Sequence, residues 1–103
     1  MGLTKQQKLD LIDRTIAFLR IGWTRYVYAT NKSGYPVFPD SPQACNWCAQ
    51  GAVHKASNEL LGKHAELWWF RNPRVLAAMN DTAESVDEVI AYFMARRKEV
   101  EAT

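Results

Sequence analysis

The stretch from Ser41 to Leu61, SPQACNWCAQGAVHKASNELL, limits the fold more than any other part of the chain, because it gathers small side chains where a neighbouring backbone must come close. Ser41 followed by Pro42 is a helix-start signal. The hydroxyl can accept from the free N–H groups of a first turn, and proline at the first helical position gives up a donor that would have no partner there. The spacing predicts one helix over residues 42–61. At about 100° per residue, Cys45, Cys48, Ala49, Ala52, Val53, Ala56 and Leu60 share one side, with Trp47, Gly51, His54, Asn58 and Leu61 on the other. Neither side is plainly a solvent face, so this helix is expected in the middle of a small core with partners on both flanks.

The flanking segments supply those partners. Thr4 with Gln7 is a capping-box pattern, and Leu9, Ile12, Ile16 and Leu19 then recur every three or four positions. A helix over residues 5–21 follows, with Gly22 placed to end it in a left-handed turn. WTRYVYA at 23–29 is aromatic and β-branched, and YPVF at 35–38 comes after the turn signal of residues 31–34, so a β-hairpin is expected. Pro36 removes a ladder donor and keeps the second strand short or at an edge.

Gly62 ends the central helix, and Leu67-Trp68-Trp69-Phe70 sets four large apolar residues in a row that one helix cannot turn inward together. Asn72-Pro73 opens a short helix running to Met79, and Asn80-Asp81-Thr82 reads as the next turn. Ser85 with Glu88 is a second capping box. It opens a last helix with the stripe Val86, Val89, Ile90, Phe93 and Met94, and Arg96-Arg97-Lys98 suit its negative end. The predicted fold class is α+β, mostly α: four or five helices around a central Cys/Ala-rich helix with one small β-hairpin, in a single globular domain over residues 1–103.

Hydrophobic residues at 48% and aromatics at 12% exclude wholesale disorder. A net charge of +2 is too small to announce a nucleic-acid binder, although residues 1–35 carry six Lys and Arg against two Asp. With no leader pattern and no apolar run near the ~20 residues of a bilayer span, a soluble cytoplasmic protein without membrane contact is expected. Two cysteines three apart make no disulfide framework, which fits a reducing compartment.

Cys45, Cys48, His54 and His64 have the donor types of a zinc site. Nine residues along a continuous helix, however, place His54 half a turn away from Cys45, and no metal or cofactor is expected. A redox reading of C-x-x-C lacks its βαβ setting. Cys48 could act as a nucleophile with a histidine and Asn80 or Asp81, and ACNWCAQGA has a superficial likeness to the nucleophile helix of papain-like enzymes. In a helix begun at 42 it would lie about two turns inside, where the dipole has faded, so no catalytic residue is assigned.

The candidate binding residues form three groups. Trp68, Trp69 and Phe70 beside Arg71 and Arg74 have the composition of an interface hot spot. Arg20 and Arg25, with Lys32 and the hairpin aromatics Tyr26 and Tyr28, would meet phosphates and stack on bases of a nucleic acid or nucleotide. Asn80 and Asp81 are turn residues in the simplest reading and a polar site in the other.

The chain resembles a group of short bacterial and phage proteins classed as a domain of unknown function. The likeness lies in Gly22-Trp23-Thr24 followed by Ala29, in Gly34 with its proline-rich link, in Trp47-Cys48-Ala49-x-Gly51-Ala52, and in Asn80-Asp81 before a helix opening at Glu88-Val89. Cys45 and the Trp68-Trp69-Phe70 patch depart from that pattern. The leading expectation is a non-enzymatic binding protein that inhibits a host protein, such as a defence-system component, by occluding its surface. Its phage origin and host-cell cytoplasmic location rest on the resemblance alone. A nucleotide or nucleic-acid binder is the alternative, a cysteine enzyme or zinc protein at Cys48 the third reading, and a homodimer is compatible with the exposed aromatics.

Overall fold

Helix α1 (Lys5–Ile21) has the bounds its sequence predicts, and its N-terminal signal operates as expected. Thr4 Oγ1 accepts from the Gln7 amide at 3.1 Å while Gln7 Oε1 accepts from the Thr4 amide at 2.9 Å, which closes the capping box. Leu11, Ile12, Thr15, Ile16 and Leu19 form its buried face. Gly22 does not end the helix in a left-handed turn: its backbone is extended, at φ −172°. What requires glycine there is contact, since a Cβ would stand 2.2 Å from the Cys45 carbonyl oxygen.

The computed structural model describes residues 3–62 and 73–103. The aromatic patch Trp68-Trp69-Phe70, together with His64, Arg71 and Asn72, lies outside the described residues. After α1 come β1 (Ala29–Thr30), β2 (Asn46–Trp47), α2 (Ala49–Leu61), α3 (Pro73–Thr82) and α4 (Val86–Glu101). The architecture is the expected one, mostly helical with a two-stranded antiparallel sheet. No described helix is long and apolar enough to cross a membrane.

The strands are not those of the expected hairpin. Ala29 and Thr30 pair with Trp47 and Asn46 rather than with residues 35–38, which return only far enough for a single Thr30–Pro36 bridge. Residues 45–48 lie between two backbone arms. Trp47 N donates to Gly22 O at 3.0 Å on one side, and Cys45 N and Cys48 N donate to Thr30 O and Tyr28 O at 3.0 and 3.1 Å on the other. Trp47 is thereby buried, with its indole N–H on Pro39 O at 3.0 Å and its ring 5.0 Å from Phe18.

This pairing moves the start of the second helix seven residues downstream of its sequence signal. Ser41 does not cap a helix; its hydroxyl accepts from Gln43 N at 3.2 Å in a local turn. The N-cap of α2 is Cys48, whose Sγ accepts from Gly51 N at 3.3 Å. In the extended form Cys45, Trp47 and Cys48 find backbone acceptors on two separate arms, so leaving the helix costs these donors nothing and ties the loop after α1 to α2. Gly62 ends α2 as expected, and does so in the left-handed conformation, at φ 68°.

Ala49, Ala52 and Ala56 of α2 are fully buried, and their small size lets α2 pack closely on α1, on whose other flank α4 rests. Val89, Ile90 and Phe93 of α4 enter the core as expected, with Val100 added, whereas Met94 turns outward. Ser85 caps α4 by position only; no side-chain bond forms, and Glu88 accepts from Glu84 N instead of closing a box. Arg97 grips Asp13 of α1 at 2.7 and 3.2 Å, an exposed tie between the two helices worth little by itself.

Candidate functional site

Asn80 and Asp81 do not form a turn after α3. They occupy its final helical turn, and the Asn80 side chain is buried. Asn80 Oδ1 accepts from Trp23 Nε1 at 2.8 Å and from Ala49 N at 2.9 Å; Asn80 Nδ2 donates to Thr24 O at 3.1 Å and to Asp81 Oδ1 at 3.2 Å. Those four bonds use the full capacity of a carboxamide. The amide cannot be turned over, because indole and backbone N–H groups only donate. One side chain therefore caps α2 from α3 and anchors the loop after α1.

Gly51 completes the arrangement. A Cβ at this position would stand 1.9 Å from the Tyr28 carbonyl oxygen, so only glycine lets the loop reach the first turn of α2. Between its two arms the loop turns at Tyr26, a bulky residue held at φ 71°, where an L side chain is strained by about 1–3 kcal/mol. Its amide donates to Asp81 Oδ1 at 3.0 Å. Arg25, next to it, lies with its guanidinium 4.5 Å over the Trp23 ring and donates to the Ala83 carbonyl.

This framework walls an open groove of about 800 Å³. Tyr26, Val27 and Tyr28 line it together with residues 36–39 and Ser41. Cys48 and Gln50 come from the start of α2, while Ala77 and Asp81, one turn apart, come from α3. Tyr26, Tyr28 and Phe38 are 78%, 57% and 84% exposed, so three large rings stand in solvent around one concavity.

Cys48 carries the most nucleophilic group type among the described lining residues, and its setting suppresses it. The thiol is 7% exposed, and burial pushes its pKa up from the ordinary 9.0, with the Asp81 charge adding to the rise against the lowering by the Gly51 and Gln50 amides. Its place at a helix N-terminus, contrary to the two-turns-inside expectation, removes the positional objection to a nucleophile. Desolvation outweighs that gain, and Sγ hydrogen-bonds to a backbone amide rather than to a base. His54 pairs with Asp40 at 2.9 Å, and among the described residues no three His, Cys, Asp or Glu side chains gather as metal ligands would.

Of the sequence-predicted binding residues, the structure brings Tyr26, Tyr28 and Asp81 together, with Asn80 behind them as the support. Arg25 is committed to Trp23 and Ala83, and Arg20 and Lys32, though exposed, do not line the groove. Arg74 is exposed on the first turn of α3 and outside it too. Trp68, Trp69, Phe70 and Arg71 are among the residues not described. Sequence reasoning missed Phe38 and Gln50, and weighed Cys48 only as a nucleophile or metal ligand rather than as part of a groove. A signal for Phe38 existed: prolines on either side of Val37-Phe38 hold the chain extended and give the ring no helix or sheet to pack on.

Three of the four places that carry the resemblance converge here; the Gly34 turn is not joined to them by these bonds. Trp23 and Thr24, Cys48 with Ala49 and Gly51, and Asn80 with Asp81 are all joined by the bonds just described. No family model, curated protein or solved structure matches the chain.

Proposed function

We propose that this protein is a non-enzymatic binding protein that occludes a surface of a partner protein, with the aromatic-rimmed groove as its contact. The observation that carries the reading is the grouping of Tyr26, Tyr28 and Phe38, exposed together around one concavity, since large apolar side chains held in solvent as a cluster are the composition of an interface hot spot. The strained Tyr26 supports it, because a ring placed outward at a conformational cost gains nothing from the protein's own core. The suppressed Cys48 thiol favours binding over covalent chemistry. The resemblance to bacterial and phage proteins supports the narrower form of the reading: a phage-encoded inhibitor acting in the host cytoplasm on a host protein.

The test compares three variants in a pull-down from the source cell. Phe38→Ala and Tyr28→Ala lose the protein retained by the parent chain while keeping its melting temperature. Retention by both, with loss on Trp69→Ala, moves the contact to the Trp68-Trp69-Phe70 patch and sinks the groove reading. A parent chain that runs only as a dimer, broken by Phe38→Ala, assigns the groove to a second copy of the chain instead.

A further inference from the structure

We infer that the groove receives an arginine or lysine side chain, flanked by apolar residues, from an extended segment of the partner protein, with the Asp81 carboxylate as its counter-charge. The inference rests on the partner-binding reading and names the chemistry of the contact. Among the described residues Asp81 is the only charged side chain lining the groove, although the chain as a whole carries a net +2. Its Oδ1 is occupied by the Tyr26 amide and Asn80 Nδ2, but Oδ2 makes no hydrogen bond and Asp81 joins no ion pair among the described residues. Among the described residues the groove thus holds one uncompensated negative charge.

Its position strengthens the preference. Asp81 lies in the last turn of α3, a turn without a basic residue, so the negative end of the helix adds to the carboxylate instead of offsetting it. Arg25 is the nearby cation by sequence and fold, and its guanidinium is engaged with Ala83 and Trp23, not with Asp81. Tyr26 and Tyr28 line the same groove as the carboxylate, and an aromatic face attracts a cation, a guanidinium more readily because it is more weakly hydrated. An anion would meet a carboxylate and no base. Val37 and Phe38 supply apolar cover for neighbouring residues, and an open groove of about 800 Å³ has room for them as well as for the basic side chain.

The test titrates the isotope-labelled full chain with three peptides, Ac-Leu-Arg-Leu-amide and its citrulline and glutamate counterparts, following the Tyr26 and Gln50 amide signals. The arginine peptide binds about tenfold more tightly than the citrulline peptide, the ratio one charge-assisted hydrogen bond supplies, and the glutamate peptide binds least. Asp81→Asn keeps the acceptor for the Tyr26 amide and the shape of the side chain. It brings the arginine peptide to the citrulline level and leaves the citrulline affinity unchanged. Equal binding of arginine and citrulline peptides to the parent chain overturns the cation inference and leaves the partner-binding reading standing. Absence of any shift at Tyr26 or Gln50 with all three peptides overturns both. Agmatine binding as tightly as the arginine peptide assigns the groove to a free small cation and overturns the protein segment.

Discussion

The helical frame and the groove-bearing loop region are held together by different forces. In the frame, α1, α2 and α4 meet through Leu11, Ile12, Leu19, Ala52, Val53, Val89 and Phe93, all fully buried or nearly so, and each contact is one of many like it. In the loop region two strands of two residues each pair along one short ladder, and Asn80 takes the place of a core. A frame of dispersed apolar contacts degrades gradually under substitution. A hub with four specific bonds fails as a unit, because each donor it abandons stays buried without a partner.

The largest effect is expected inside the frame. Phe93→Ala empties the volume of a fully buried ring and costs about 3–5 kcal/mol, more than about 10 °C in melting temperature for a domain of this size. A loss below about 1 kcal/mol would mean that α4 is not packed as described. Next comes the hub. Asn80→Ala strands the Trp23 indole and the Ala49 amide and costs about 2–3 kcal/mol. Hydrogen exchange separates this from a frame defect: protection is lost first at Ala49 and along residues 22–30, with α1 and α4 still protected. Uniform loss across all helices would erase the distinction between the two regions.

A smaller effect follows from Cys48. Its folded pKa is raised, so the native state holds the thiol proton more tightly than the unfolded chain does. That contribution is complete below the ordinary value of 9.0 and is lost as pH rises from there through the folded pKa. Melting temperature measured from pH 8 to pH 10.5 therefore falls more steeply for the parent chain than for Cys48→Ser, whose hydroxyl keeps the cap on Gly51 N. Parallel curves would place Cys48 in a wetter setting than the groove floor. The smallest effect belongs to the rim: Phe38→Ala changes stability by no more than about 0.5 kcal/mol, since the ring is exposed, and a larger loss would make it part of the core.

Much of the frame was legible in the chain. The bounds of α1, its capping box, the stop at Gly62 and the inward Val89, Ile90 and Phe93 of α4 depend on bonds and contacts a few residues apart, which a periodic pattern records directly. The site was legible only in part. Tyr26, Tyr28, Asn80 and Asp81 stood out by type, but the basic hairpin assigned to two of them and the turn assigned to the others do not exist as such.

Sequence alone therefore determined that this chain would be a small, mostly helical body, and which faces of α1 and α4 would turn inward. Tertiary structure decided where α2 begins, why Gly22 and Gly51 are glycines, and what Asn80 is for. Its bonds to Trp23, Thr24 and Ala49 span 57, 56 and 31 residues of chain. No local pattern encodes such partners, and the strand through Trp47 overrode a sound Ser-Pro helix signal because distant acceptors on two sides satisfied the donors that a helix would otherwise have satisfied.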